Sequence, residues 1–177
     1  MIKLNAKQLR TTPVDIEKAK QIKRNPIYIV LDNVLDTYNI GSIFRLADAI
    51  AAKEVIICGD SEVPPNTRIK KASINTTEWV SWHYEKTAKE ALEKLKKEYK
   101  DLQIVSVEQS EKSISYTKTE WHFPLAVVVG NETNGVSKEV LEMSDLIVEL
   151  PMFGVNISLN VMVSLGIVLY KVVENIL

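Results

Sequence analysis

Short apolar runs alternate with longer amphipathic stretches along the whole chain. Apolar runs of roughly four to eight residues rich in Val and Ile read as buried strands, whereas apolar positions recurring every three or four residues read as helices. Strands are expected at Ile27–Leu31, Val55–Cys58, Trp79–Trp82, Gln103–Val107, Ala126–Val129 and Leu146–Glu149. Helices are expected after Asn39, across Ala88–Lys97, after Ser137 and from about Ser158 to Asn175. Residues 10–24 should form a further helix that opens near Thr12-Pro13, where proline suits a first turn, and lies outside the sheet as an arm. Pro64-Pro65-Asn66-Thr67 reads as a surface loop. This rhythm predicts an α/β fold: a doubly wound, mostly parallel sheet with helices on both faces, its strands apolar on both sides.

A length of 177 residues suits one domain with a core of its own. The single cysteine, Cys58, excludes an internal disulfide framework and points to a reducing, cytoplasmic setting. Met1-Ile2-Lys3-Leu4-Asn5 lacks the apolar core of a secretory signal. The apolar stretch from Val161 to Tyr170 is too short to span a membrane, so no membrane partner is expected. The formal charge of −1 is unevenly spread, because residues 1–24 carry seven basic side chains against two acidic ones. That basic arm and the cluster Arg68-Ile69-Lys70-Lys71 suit contacts to phosphates, although solvated helix faces share the pattern. His83 and His122 have no cysteine or carboxylate at metal-ligand spacing, so no metal is expected. No Gly-x-Ser-x-Gly elbow supports a hydrolase.

Three runs carry polar and glycine residues just after apolar stretches, where strand ends deliver them to one edge of the sheet. In Asn39-Ile40-Gly41-Ser42-Ile43-Phe44-Arg45, Gly41 permits a close backbone approach. Arg45 either clamps a phosphate through its planar fork or pairs with Asp48 or Asp32 as structural glue. Gly130-Asn131-Glu132-Thr133-Asn134-Gly135 has the glycine spacing of a phosphate loop, but Val136 stands where that loop needs lysine. As a turn, Asn134-Gly135 supplies a left-handed conformation and Ser137 caps the next helix, which leaves Glu132 unexplained. In Pro151-Met152-Phe153-Gly154-Val155-Asn156-Ile157-Ser158-Leu159-Asn160-Val161, Ser158 and Asn160 stand at the head of the last helix, as caps or as ligands to a polar group.

In this order and spacing the three runs resemble the motifs of the TrmH (SpoU) type of the SPOUT superfamily, RNA ribose 2′-O-methyltransferases that use S-adenosylmethionine. Asn39-x-Gly41-x-x-x-Arg45 is similar to the first motif, Gly130-Asn-Glu132-x-x-Gly135 to the second, and Pro151-Met152-x-Gly154-x-x-x-Ser158-Leu159-Asn160-Val161 to the third. The resemblance implies a methyltransferase domain over residues 25–177 whose part from about Leu125 to Leu165 is tied into a deep trefoil knot, preceded by the arm of residues 1–24. It implies a homodimer, with the apolar final helix at the interface. Main-chain groups near Val107 and Glu108, at Gly130, at Leu150 and Met152, and at Leu159 would hold the cofactor. Asn39, Arg45, Glu132, Ser158 and Asn160 would be the catalytic side chains. In that scheme Arg45 binds the adjacent phosphate and stabilises the forming oxyanion, since an arginine stays protonated. Glu132 orients Arg45 or Asn39, while Ser158 and Asn160 fix the ribose and shape the knot loop. Val107-Glu108-Gln109-Ser110 looks like the segment of relatives that act on the D-loop guanosine of transfer RNA, which favours that substrate over ribosomal RNA. Met162 and Leu165 are bulkier than the family's usual residues after the third motif. The competing expectations are a non-catalytic RNA-binding or assembly protein that retains the fold, and a flavodoxin-like nucleotide-binding module.

Overall fold

The structure, a computed structural model, describes residues 3–12 and 14–176. Two short helices, α1 (Ala6–Thr11) and α2 (Ile16–Lys20), precede β1 (Asn25–Asp32). There follow α3 (Thr37–Ala49), β2 (Ala52–Cys58), α4 (Thr67–Ser73), a 3-10 turn at Thr76–Glu78, β3 (Trp82–Glu85) and α5 (Ala88–Glu98). The chain then forms β4 (Gln103–Val107), the two-residue β5 (Ile114–Ser115), a 3-10 turn at Tyr116–Lys118, β6 (Leu125–Gly130), α6 (Lys138–Met143), β7 (Leu146–Glu149) and α7 (Val161–Val173).

All seven strands lie in one sheet of order β3-β2-β1-β6-β4-β7-β5, and every pairing among them is parallel. Side chains alternate across a strand, so a sheet covered on both faces needs apolar residues at every position. In β1, Ile27, Ile29 and Leu31 enter one core with Phe44, Ile69 and Leu169, whereas Tyr28 and Val30 enter the other with Leu92, Leu95 and Val140. Thus α3, α4 and α7 cover one face, and α5 and α6 the other. The bulky Leu165 is fully buried and Met162 is packed against the first core, so both serve as packing on α7. No helix among the described residues is long and apolar enough to cross a membrane.

Five local expectations are corrected. Trp79 and Val80 are buried but belong to the turn after Thr76–Glu78, and the strand begins only at Trp82. Trp79 is held there by its indole N–H, which donates to Asp48 at 2.7 Å. The N-terminal segment is two helices: extended backbone at Thr12 ends α1, and Asp15, whose side chain accepts the N–H of Lys18, starts α2. Pro13 lies outside the described residues. Helix α7 starts at Val161, because the Asn160 side chain accepts the N–H groups of Met162 and Val163, which leaves Ser158 in the preceding loop. Ser137 occupies the cap position of α6, but its side chain makes no capping bond, and its N–H donates to Asp32 instead. The Pro64-Pro65 loop also runs into a helix, α4, capped by Asn66.

The arm is packed onto the domain rather than held apart. Ala19 is in the core, Leu9 and Val14 lie against it, and the main-chain oxygen of Leu9 accepts from Asn75 at 3.3 Å.

Candidate active site

The carboxyl ends of β4, β6 and β7 open into a cleft of about 600 Å³. Val107, Glu108, Gly130, Leu150, Met152 and Leu159 all line it, as do Glu132, Ser158 and Asn160. Asn39 and Arg45 are not on its walls. Six expected cofactor positions and three of five expected catalytic side chains therefore converge on one cavity, of a size ordinary for a small-molecule site.

The floor is built from glycines that leave no room for a side chain. A Cβ on Gly130 would stand 2.1 Å from the carbonyl carbon of Gly135 and 2.2 Å from the nitrogen of Val136. Gly135 itself has φ +70°, and a Cβ there would strike the Glu108 carboxylate. The turn between them is closed by paired main-chain hydrogen bonds between Asn131 and Gly135 and by the Asn131 side chain, which accepts from Thr133 and Asn134 and donates to the carbonyl of Asn33. Glu108, just past the end of the neighbouring β4, pins the same turn, its carboxylate accepting the N–H of Val136 at 2.9 Å and that of Gln109 at 2.8 Å. Gln109 then crosses to the third run, where its amide donates to the main-chain oxygen of Ile157 at 2.6 Å.

Glu132, unexplained by the turn alone, is the acceptor that joins the first two runs. Its carboxylate takes the N–H groups of Leu35 and Asp36, each at 3.0 Å, and the amide of buried Asn39 at 3.0 Å. The oxygen of Asn39 in turn accepts the amide of Asn160 at 3.0 Å, and the oxygen of Asn160 caps α7. One relay, Glu132 to Asn39 to Asn160 to the head of α7, ties all three runs together. Partial desolvation raises the pKa of Glu132, but the bonds from Asn39, Leu35 and Asp36 outweigh it, so the carboxyl titrates below its ordinary value.

Arg45 stands apart. It is exposed on α3 and makes no hydrogen bond or ion pair among the described residues. Asp48 is taken by Trp79, and Asp32 by Ser137 and Asn33, so the structural-glue alternative does not hold. Within the chain, Glu132 bonds Asn39 and makes no bond to Arg45 among the described residues. Gly41 approaches α4, where a Cβ would meet that of Ala72 at 2.6 Å. Sequence reasoning passed over Gln109, Asn131 and Asp32 as parts of this frame. The only signal for Asp32 is a carboxylate directly after an apolar strand, since its partner Ser137 lies 105 residues away.

The cleft suits a ligand read by main-chain groups. Those of Leu150, Met152 and Leu159 line it, yet take no hydrogen-bond partner from the described residues. Such groups carry one donor and one acceptor each, enough to recognise a nucleoside edge.

A family model, the SpoU rRNA Methylase family, matches residues 26–170. The chain belongs to the SpoU methylase family. Among curated relatives, YacO of Bacillus subtilis, placed among the TrmH family tRNA/rRNA methyltransferases, is 31% identical over 89% of this chain and 63% of its own length. A tRNA (guanosine(18)-2′-O)-methyltransferase of Aquifex aeolicus is 30% identical over 84% of this chain and 69% of its own. The 23S rRNA (guanosine-2′-O-)-methyltransferase RlmB of Haemophilus influenzae is 29% identical over 90% and 64%. The chain thus spans about two thirds of the length of these family members. An AdoMet-bound rRNA methyltransferase from Sinorhizobium meliloti superposes with a TM-score of 0.79 at 24% identity, covering 90% of this chain and 60% of that one. The A. aeolicus TrmH/SpoU tRNA modifying enzyme does so with a TM-score of 0.75 at 25% identity over 96% and 83%. The parallel sheet with helices on both faces expected from the sequence is the fold observed, and it matches the fold of these SpoU/TrmH structures.

Proposed function

We propose that this SpoU-family chain transfers a methyl group from S-adenosylmethionine to a ribose 2′-hydroxyl of RNA, with a transfer-RNA guanosine as the favoured target. What carries the reading is the cleft of unpartnered main-chain groups whose walls include Glu132 and Asn160, which Asn39 links. Names of relatives support both transfer and ribosomal RNA as substrates; the Val107-Glu108-Gln109-Ser110 segment favours the former. Bound along Val107, Glu108, Gly130, Leu150, Met152 and Leu159, the cofactor would supply an electrophilic methyl group. The chain's own contribution is chiefly positioning. Asn39, Glu132 and Asn160 hold the three loops in one geometry, and Ser158, exposed at the cleft, offers its hydroxyl to the ribose. Arg45, through its planar guanidinium, binds the neighbouring phosphate and stabilises the oxyanion.

The same reading includes a homodimer and a knot across about Leu125 to Leu165. Helix α7 exposes Val163, Ile167 and Tyr170 at spacings of four and three, a stripe on one face. Before it, Leu159, Ile157, Val155 and Phe153 are also exposed. Helix α3, which packs on α7 through Leu46 against Gly166, exposes Tyr38 and Arg45 seven residues apart. A second copy seated on α7 accounts for the stripe and brings Arg45 toward its partner's cleft. The basic arm adds charge for RNA, and the lone buried Cys58 suits a cytoplasmic setting.

The test is transfer of labelled methyl to total transfer RNA and, in parallel, to ribosomal RNA, with nuclease mapping of the product. Label on a 2′-O-methyl nucleotide is expected, and cofactor binding without label on either RNA would refute the substrate assignment. Arg45→Ala should lower transfer by about a hundredfold or more while cofactor affinity persists; retention of most activity would remove Arg45 from the reaction.

A further inference from the structure

A second cleft, of about 630 Å³, lies between the head of α3 and the head of α4, lined among others by Leu35, Asp36, Tyr38, Glu62, Asn66 and Arg68. It adjoins the first. Leu35 and Asp36 present their N–H groups to Glu132, which lines the cofactor cleft, so one wall serves both cavities.

Two of its polar side chains are already engaged. Asp36 accepts the N–H groups of Tyr38 and Asn39 and caps α3, while Asn66 accepts those of Arg68 and Ile69 and caps α4. Glu62 and the guanidinium of Arg68 have no such duty: both are exposed and neither makes a hydrogen bond or ion pair among the described residues. Tyr38 is 53% exposed. An aromatic face, a free carboxylate and a free guanidinium thus line one concave site.

Each group restricts the occupant. A half-exposed aromatic ring is a stacking platform for a splayed-out base. The carboxylates of Asp36 and Glu62 disfavour a phosphate inside the cleft, which leaves Arg68 to hold one outside it. An ionised carboxylate only accepts hydrogen bonds. Guanine alone among the four RNA bases presents two adjacent donors, N1–H and the 2-amino group, on its Watson–Crick edge. Adenine and cytosine place an acceptor beside their amino group, and uracil flanks its single donor with carbonyls.

Resting on the methyltransferase reading above, we propose that this cleft is the base pocket for the target nucleotide. Tyr38 stacks on the base, Glu62 selects guanine through its N1–H and 2-amino donors, and Arg68 holds the flanking phosphate. Glu62 is then a specificity-determining residue with no part in the chemical step.

The test is a nuclear magnetic resonance titration of the full chain with guanosine, inosine and adenosine 5′-monophosphates, with and without S-adenosylhomocysteine to fill the first cleft. Inosine lacks only the 2-amino group. Guanosine monophosphate should shift the resonances of residues 35–38 and 62–68 and bind about tenfold more tightly than the inosine nucleotide. Glu62→Gln should remove that difference, and Tyr38→Ala should weaken the guanosine and inosine nucleotides alike. Equal affinities in the native protein, shifts elsewhere, or a preference that survives Glu62→Gln would overturn the pocket. Its failure is separable from that of the methyltransferase reading: a guanine preference without methyl transfer to any RNA refutes the latter alone, and methyl transfer without the preference refutes the former alone.

Discussion

At the scale of single residues, the site is decided by which polar groups are committed to neighbours and which remain free. Glu132, Asn39 and Asn160 are committed, each with an identified partner at 3.0 Å, whereas Arg45 and Glu62 are not. Glu132→Gln should therefore cost stability first, through weaker acceptance of three N–H donors. The loss at neutral pH should be about 1 kcal/mol, at the low end for a charged acceptor because the side chain is largely exposed to solvent. The sign of its pH dependence follows from the lowered pKa. A carboxyl that titrates lower when folded contributes its stability above the unfolded value, 4.5, and loses it as pH falls through the folded value. Denaturant midpoints of native and Glu132→Gln protein should thus differ at pH 7 and converge below about pH 4.5. A difference that stays constant with pH would show that the carboxylate's charge is immaterial.

Among the elements, α3 shows how far local chemistry settles a boundary. Asp36 caps its start, and Ala51 just beyond its end takes φ +50°, with its N–H on the carbonyl of Asp48. Glycine is the residue that adopts this conformation without penalty, so Ala51→Gly should stabilise the fold by about 1 kcal/mol, read as a higher denaturant midpoint. An unchanged or lower midpoint would mean that the Ala51 methyl packs well enough to offset the strain. Strands at β1, β2, β4, β6 and β7 were legible because each is apolar on both faces and bounded by polar residues. The β3 expectation slipped by three residues because Trp79 and Val80 are buried for packing beneath α3, and burial alone does not distinguish a turn from a strand. Helix α4 was hidden behind two prolines that read as a loop, and β5 has two residues, too few for any period. Of the cofactor cleft, the glycines and acids in three motifs were legible, since nothing in an ordinary α/β chain requires them there. The second cleft was not, because Tyr38 and Glu62 are unremarkable in sequence and meet only when α3 and α4 come together.

For the whole molecule, the exposed stripe on α7 is the feature with the largest reach. If a second copy covers it, Ile167→Glu should give a monomer at micromolar concentration by sedimentation, with circular dichroism unchanged and methyl transfer lost. A native protein that is itself monomeric would remove the dimer from the mechanism. The relay among the three motifs has a further consequence, in time rather than in space. Asn39 meets Glu132 across 93 residues of chain and Asn160 across 121. Contacts so distant in sequence are costly to close and form late in folding. During synthesis, which proceeds from the N-terminus, β1 and α3 emerge long before the residue that completes their relay. A chain interrupted between Gly135 and Asn160 carries the first two motifs without the residue that ties them to the head of α7, so the joined geometry of the three motifs is among the last things the ribosome delivers.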